Sequence, residues 1–291
     1  MPELPEVETV RRGLADLLPG RTITAVQHDW AKSFPNAATD VRRFVVGAHI
    51  TEVKRRAKIL LIELDTNYTL LVHLKMTGQL VYRADDDQRF GAGHPNNSLV
   101  GELPDKSTRV TLKLNGAQLF FNDQRKFGWM KLFPTVEVFS LDFMKKLGPE
   151  PLSTDFTAAD FGERLMRRAK SGIKAVLLDQ TVVAGVGNIY ADEALWGAKI
   201  HPETKVRDIS ATKITQLYLA LRDVLQLSIK KGGSSDRNYV DAKGQRGSYL
   251  KFAKVFRREG LECPRCGQQI IKIRVAGRGT HICPHCQKVR A

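Results

Sequence analysis

The chain has 291 residues, 42% of them hydrophobic, and carries 46 Lys+Arg against 31 Asp+Glu, a formal charge of +15 with a pI of about 9.8. That length allows about two domains with sizeable cores, and so basic a chain implies a polyanionic partner, either nucleic acid or an anionic membrane surface. No apolar run approaches the ~18–20 residues of a membrane span and no charged-then-apolar signal segment is present, so the expectation is a cytosolic protein that binds nucleic acid.

The first predicted element is a helix over residues 5–18. Leu4, Val7, Val10, Leu14, Leu17 and Leu18 recur at three- and four-residue spacing. Pro5 suits the first turn, Glu6 and Glu8 suit the positive end, and Leu18-Pro19-Gly20 should stop the helix. Ahead of it stands Pro2. Trimming of Met1 would leave a free secondary amine at the mature N-terminus, whereas the plain alternative is an unstructured end. Strand-like segments follow: TITAVQHDW, AKILLIEL, YTLLVHLKM, RVTLKL, AQLFFND and WMKLFP, separated by polar or Gly-bearing turns. Several short strands in sequence predict a sandwich or barrel-like sheet domain. Residues 84–107 are polar and rich in Gly and Pro, and are expected to form an exposed loop.

Composition changes at LGPEPLS (Leu147 to Ser153), which reads as a hinge between domains. Helical periodicity takes over in FTAADFGERLMRRAK, GIKAVLLDQ and NIYADEALWGA. The clearest helix is TKITQLYLALRDVLQLSIKKGG, with Ile214, Leu217, Tyr218, Leu221, Val224 and Leu225 on one face and Gly232 at its end. From about Arg246 the chain is strongly basic. It also holds all four cysteines: Cys263, Cys266, Cys283 and Cys286. CPRC and CPHC, sixteen residues apart, have the spacing of a four-cysteine zinc site. His281 and His285 are possible substitutes, but four thiolates already fill a tetrahedral shell.

Other segments admit two readings. VVAGVGNIYADEAL is a glycine-rich turn entering a helix, where Asn188 either caps the helix or donates to a phosphate. In DQRKFG and HLKMTG, Phe127 and Met76 are core residues or wedges between bases, and Arg125 could read a base edge. Lys58, in RRAKILLIEL, is a solvated strand end or a phosphate clamp. Arg278, between Gly277 and Gly279, faces solvent or a nucleic-acid backbone.

Taken together, MPELPEVET, RRAK, HLKMTG, D-x-R-K-F-G, LGPEPL, AGVGNIYADEAL, the HP at 201–202 and the terminal CxxC…THxCPxCQ resemble the bacterial formamidopyrimidine-DNA glycosylase family, from Pro2 to about Gln287. Leu4 favours this branch over endonuclease VIII, which usually begins PEGPE. The chain departs from the family pattern in VFRREG (Val255 to Gly260), where many members read Tyr-Gly-Arg. It departs again at Ser107 and Arg109, where many carry His-x-His.

The resemblance implies an α+β protein. Its parts would be an N-terminal helix and β-sandwich catalytic domain over residues 2–134, a linker over 135–154, a helix-two-turns-helix DNA-binding domain over 155–245 and a zinc finger over 246–291. It implies a monomeric repair enzyme, cytoplasmic and associated with the nucleoid, that acts on double-stranded DNA containing oxidised bases or abasic sites. Pro2 would be the nucleophile, Glu3 the acid/base and Glu6 a supporting carboxylate. Lys58 would hold phosphates and assist proton transfers. Met76, Arg125 and Phe127 would fill the space left by the flipped base, with Arg125 against the orphaned cytosine. Lys174, Asn188, Arg278 and His73 would contact the DNA backbone. The region GGSSDRNYVDAKGQRGSY would close on the flipped base. One structural Zn²⁺ would fold the finger. The chemistry is consistent: an α-amino group titrates near ~8 and a lysine near ~10.4, so the former is more often unprotonated at neutral pH. Three alternatives make different demands. They are an endonuclease VIII-like enzyme for oxidised pyrimidines, a non-catalytic zinc-ribbon protein and an N-terminal-proline tautomerase.

Overall fold

The computed structural model describes residues 2–94, 96–234 and 248–288. They fall into two units: one comprises the chain up to Lys145 with the segment bounded by Lys231 and Ser248, and the other runs from Lys146 to Lys230 and from Tyr249 onward.

The first unit opens with helix α1 (Leu4–Ala15). It ends three residues earlier than its apolar periodicity suggests, at Asp16, although Leu17 and Leu18 beyond the end are still buried. Apolar periodicity reports burial, which a turn can also supply. Two sheets follow. One has the order β1 (Ile23–His28), β7 (Thr108–Leu114), β8 (Ala117–Asp123), β5 (Gly78–Ala84) and β6 (Arg89–Gly93). The other has β2 (Ile50–Arg56), β3 (Ile59–Leu64), β4 (Tyr68–His73) and β9 (Trp129–Pro134). All described pairings in them are antiparallel. One core joins Val7, Val10 and Leu14 of α1 to Ile62 and Val72 of the four-stranded sheet and Leu80, Leu112 and Phe121 of the other. The unit is therefore a sandwich with a helix against it. Two short helices, α2 (Ala38–Phe44) and α3 (Asp142–Lys145), complete it.

Residues 84–107 are not the exposed loop expected from composition. They contain β6, paired with β5 from Gln79↔Gly93 to Arg83↔Arg89, and a 3-10 turn at Asn97–Leu99. Phe90, Ala92 and Leu99 are buried. The strand RFGAG has two glycines among five residues, and its alternation is confined to Phe90 and Ala92, too little to mark a strand. Phe90 packs against α1 at Gly13, where a Cβ would stand 2.1 Å from the ring.

The second unit is helical: α4 (Ala158–Met166), α5 (Ile173–Leu178), α6 (Asn188–Ala198) and α7 (Ala211–Lys230). Thr157 and Asp160 form a reciprocal capping box on α4. Ile214, Leu217, Leu221 and Leu225 of α7 pack with Tyr190, Ala194 and Leu195 of α6. The expected hairpin between the cysteine pairs is present as β10 (Ile271–Val275) and β11 (Arg278–Ile282), and it belongs to this unit. Among the described residues no helix is long and apolar enough to cross a membrane.

The contact at Gly13 yields a test in which two effects oppose. Gly→Ala within a helix is intrinsically favourable by about 1 kcal/mol. Overpacking a core against a ring that cannot move costs about 1–3 kcal/mol. Phe90 is 1% exposed, so Gly13→Ala should lower the thermal midpoint of the purified protein, and Gly13→Ala with Phe90→Leu should recover part of the loss.

Candidate active site and nucleic-acid interface

The start of helix α1 is fixed by its own sequence. Glu3 is the N-cap of α1, and its backbone N–H donates to Glu6 Oε2 at 2.8 Å, one half of a capping box. Pro5 costs no helix hydrogen bond in this first turn. Pro2, Glu3 and Glu6 are all buried. Glu6 Oε1 accepts a second backbone N–H, from Ser234, at 2.8 Å. Gly233 precedes it at φ +86°, with a Cβ position 3.2 Å from Glu6 Oε1. That left-handed conformation favours glycine, and its neighbour's N–H reaches Glu6 because the chain turns there. The Ser248 N–H donates to Lys231 O at 2.8 Å. The lesion-capping segment expected from GGSSDRNYVDAKGQRGSY lies, over residues 235–247, outside the described residues.

Lys58 is not a solvated strand end. It sits, 7% exposed, in the tight β2–β3 turn with Ala57 at φ +54°. Arg55 braces this turn: Nη1 donates to Ala57 O at 2.8 Å and Nε to Glu8 Oε2 at 3.0 Å. Glu8 also accepts from Arg11 and Arg12. Burial alone would raise the Glu8 carboxyl, but hydrogen bonds from Arg11, Arg55 and Arg12 outweigh it and hold the carboxyl at about 2. Helix α1 and the lysine turn are thereby joined through one ion-pair cluster. The pair Ile59↔His73 brings His73 to the same sheet end. His73 Nδ1 accepts the Lys75 N–H at 3.0 Å. Burial, with the charges of Lys75 and Lys58, depresses this imidazole to about 3, so it is neutral at physiological pH.

Met76 and the Arg125/Phe127 pair lie on two neighbouring turns. Met76 is in the β4–β5 turn and Arg125 and Phe127 in the β8–β9 turn, and the pair Gly78↔Asp123 sets them at the same end of one sheet. Phe127 is 53% exposed, Arg125 is exposed and Met76 partly so. The core reading of Phe127 therefore fails. The Arg125 guanidinium lies 4.9 Å from the Phe127 ring centroid, a cation–π contact that orders both side chains at the surface.

In the second unit, Gly187, not Asn188, is the N-cap of α6. Asn188 Nδ2 instead donates to Gly279 O at 3.0 Å, and Arg278 beside it is exposed on the hairpin. Lys174 departs from its expected place at the DNA backbone. It is 0% exposed, and its ammonium lies 2.6 Å from both Asp192 Oδ1 and Thr280 Oγ1. A buried ammonium so engaged holds the hairpin to the helices, and leaving it unpaired would be costly. Asp192 Oδ2 also accepts the His281 N–H at 2.9 Å. Its neighbour Glu193 accepts backbone N–H groups of Lys254, Val255 and Phe256 at 2.8–2.9 Å. Burial pushes Glu193 above the usual carboxylate range against those three donors. Neither acid is a candidate on sequence grounds. The available signal was two adjacent carboxylates within an otherwise apolar helix.

The four cysteine sulfurs lie within 4.8 Å of one another. A Zn–S bond of about 2.3 Å gives tetrahedral S···S edges of roughly 3.8 Å, and two of the pairs stand at 3.5 and 4.0 Å. The donor set is that of a structural zinc with no open position. Trp196 Nε1 donates to Cys263 Sγ at 3.4 Å. His281 packs on Phe256 and is not part of the cluster.

Three family profiles match the chain. They are the formamidopyrimidine-DNA glycosylase N-terminal domain over residues 1–130, the formamidopyrimidine-DNA glycosylase H2TH domain over 147–239 and the zinc finger found in FPG and IleRS over 260–289. The formamidopyrimidine-DNA glycosylase of Pelotomaculum thermopropionicum is 44% identical over 292 residues, covering 100% of each chain. That of Herpetosiphon aurantiacus is 46% identical, covering 99% of this chain and 100% of its own. Among solved structures, a Lactococcus lactis FPG variant bound to Fapy-dG-containing DNA superposes with a TM-score of 0.87 at 37% identity, covering 99% and 100% of the two chains. MutM in complex with carbocyclic 8-oxo-G DNA gives 0.86 at 37% identity, with the same coverage.

Two outcomes follow for this site. A His whose folded pKa is depressed contributes stability that is complete above its unfolded value, near 6.5, and lost as pH falls toward about 3. The Glu8 contribution is lost only below its unfolded value of 4.5, toward about 2. Between pH 6.5 and 4.5 the wild type should therefore lose on the order of 1–2 kcal/mol that His73→Gln does not lose, read from thermal midpoints across that range. Separately, purified protein should carry one zinc per chain by elemental analysis, and Cys283→Ser should lose both the metal and DNA affinity.

Proposed function

The chain belongs to the formamidopyrimidine-DNA glycosylase family, and from that premise we propose that it excises oxidised purines, 8-oxoguanine and formamidopyrimidines, from duplex DNA and then cuts the abasic strand by β,δ-elimination. The observation that carries the reading is the brace from α1 to the lysine turn. Pro2 and Glu3 head a capped helix, and Glu8 of that helix, through Arg55, holds the turn that bears Lys58.

With Met1 removed, the Pro2 nitrogen is a secondary amine at a helix N-terminus, where the dipole disfavours its protonation. Its lone pair attacks the sugar C1′ as the bond from C1′ to the base breaks, the amine's proton passes to the departing base, and Glu3 protonates the ring oxygen as the nitrogen's freed pair opens the sugar. The iminium so formed has no N–H proton to lose, and its positive charge persists. Loss of a 2′ proton then expels the 3′ phosphate, and a second elimination expels the 5′ phosphate. Lys58 holds phosphates beside the lesion and assists these proton transfers. The neutral His73, accepting at Nδ1, keeps Nε2–H to donate to a phosphate oxygen. Asn188 and Arg278 grip the backbone from the second unit.

Extruding a base costs a few kcal/mol of lost stacking and pairing. Met76, Arg125 and Phe127 offset part of it by filling the hole, with Arg125 bonded to the orphaned cytosine. Their exposure on adjacent turns supports that role. Acting on chromosomal DNA, the enzyme works at the nucleoid. The zinc has no catalytic step: it folds the basic hairpin.

Borohydride trapping tests the reading. Processed protein should form a covalent adduct with an 8-oxoguanine:C duplex, and Pro2→Gly should lower adduct yield by about 100-fold or more. Preference for a thymine-glycol duplex over 8-oxoguanine:C would favour the endonuclease VIII alternative. Full strand cleavage by Pro2→Gly would end the Schiff-base mechanism.

A further inference from the structure

Asp123 takes no part in the chemistry above, yet it is 0% exposed and lies between the two turns that carry Met76, Arg125 and Phe127. Its Oδ1 accepts the Thr77 hydroxyl and, at 3.2 Å, the Arg125 N–H. Thr77 Oγ1 accepts the same N–H at 3.0 Å. Its Oδ2 accepts the Gly128 N–H at 2.6 Å. One carboxylate thus grips the residue after Met76 and both ends of the segment that presents Arg125 and Phe127. Bonds to an ionised acceptor are shorter and stronger than neutral ones, and inside a protein they are little screened.

The turn needs such an anchor. Lys126, between the two presented side chains, has φ +57°, a conformation that L-residues rarely adopt. Gly128 is equally constrained: a Cβ there would stand 2.6 Å from the Phe121 ring and 3.1 Å from Asp123 Oδ2. Asp123 is itself held from behind. Its N–H donates to Ser107 O at 2.7 Å, and its carbonyl accepts Arg109 Nε at 3.1 Å. Arg109, 3% exposed, also donates to Ser107 O and pairs with Asp29. Ser107 and Arg109 are the two positions where this chain departs from the His-x-His of many family members. Here they form the seat of the anchor.

We propose that Asp123, with Thr77, is a positioning residue that presets the spacing of Met76, Arg125 and Phe127, so that the three enter the duplex as one rigid wedge. The proposal rests on the base-extrusion reading above and adds what keeps the wedge in shape. A stacked, paired lesion must be extruded before the chemistry, whereas an abasic site has no base to unstack. Loosening the anchor should therefore slow excision far more than it slows Schiff-base formation on a preformed abasic site.

The test uses full-length zinc-loaded protein and three variants: Asp123→Asn, Thr77→Val and Thr77→Ser. Single-turnover excision on an 8-oxoguanine:C duplex is compared with borohydride trapping on a preformed abasic duplex, alongside thermal midpoints. The expected result is excision lowered about tenfold or more in Asp123→Asn, with abasic trapping changed by less than about threefold. Thr77→Val should shift the same ratio in the same direction, and Thr77→Ser, which keeps the hydroxyl, should restore it. If Asp123→Asn does not fold, the Thr77 pair decides by the same ratio. Equal loss of both activities, or loss of neither, would overturn the proposal. If the wild type acts on neither duplex, the glycosylase reading falls and the wedge with it. If the wild type acts on both and the variants match it, only the anchor falls.

Discussion

A chain terminus normally frays, because nothing fixes its first backbone groups. Here the Glu6 carboxylate prevents that. It accepts the N–H of Glu3 at the start of α1 and the N–H of Ser234 more than two hundred residues later. A terminal amine can act as a nucleophile only when its position is fixed, and proximity is among the largest sources of rate available to an enzyme. The capping box at Glu3 and the approach of the chain at Gly233 and Ser234 both meet on this one side chain.

The same device recurs in both units. Glu6, Asp192 and Glu193 are buried acids whose oxygens accept backbone N–H groups from distant segments, and Asp123 joins the N–H groups of its own turn to the distant Thr77 hydroxyl. Burying a carboxylate is costly unless its lone pairs are filled. Once they are, each segment it holds is fixed in one geometry. Surface ion pairs would not do this, since they are screened and contribute little. In a protein of charge +15, acids placed inside also leave the surface to lysine and arginine, as a polyanion-binding protein requires.

The zinc finger follows from the same economy of scale. A hairpin as short as β10–β11 cannot bury enough apolar surface to fold unaided. Four thiolates close one end of it, and Lys174 and Asp192, through Thr280 at its middle, hold it against the helices. Lys174 thus has a role, though a different one from that expected. Its charge is consumed inside the unit, which leaves Arg278 exposed on the hairpin it supports.

The amino-acid sequence by itself determined what depends on neighbours along the chain. It identified the four zinc ligands from CPRC and CPHC, α1 with its proline and acids in the first turn, the helical second half and most of the apolar strands. The candidate residues Pro2, Glu3, Lys58, Met76, Arg125 and Phe127 were legible because each stands in a short motif. Only the tertiary structure decided what depends on distant partners. It revealed β6, whose glycines carry no periodic signal. It placed Lys174 inside and Phe127 outside, set the Thr77 hydroxyl against Asp123, and brought Asp192 and Glu193 to the backbone groups they hold. The physical reason is one of range. Helix caps and paired cysteines act over three or four residues, whereas the buried carboxylates are fixed by contacts to groups from 46 to 228 residues away, which no local pattern records.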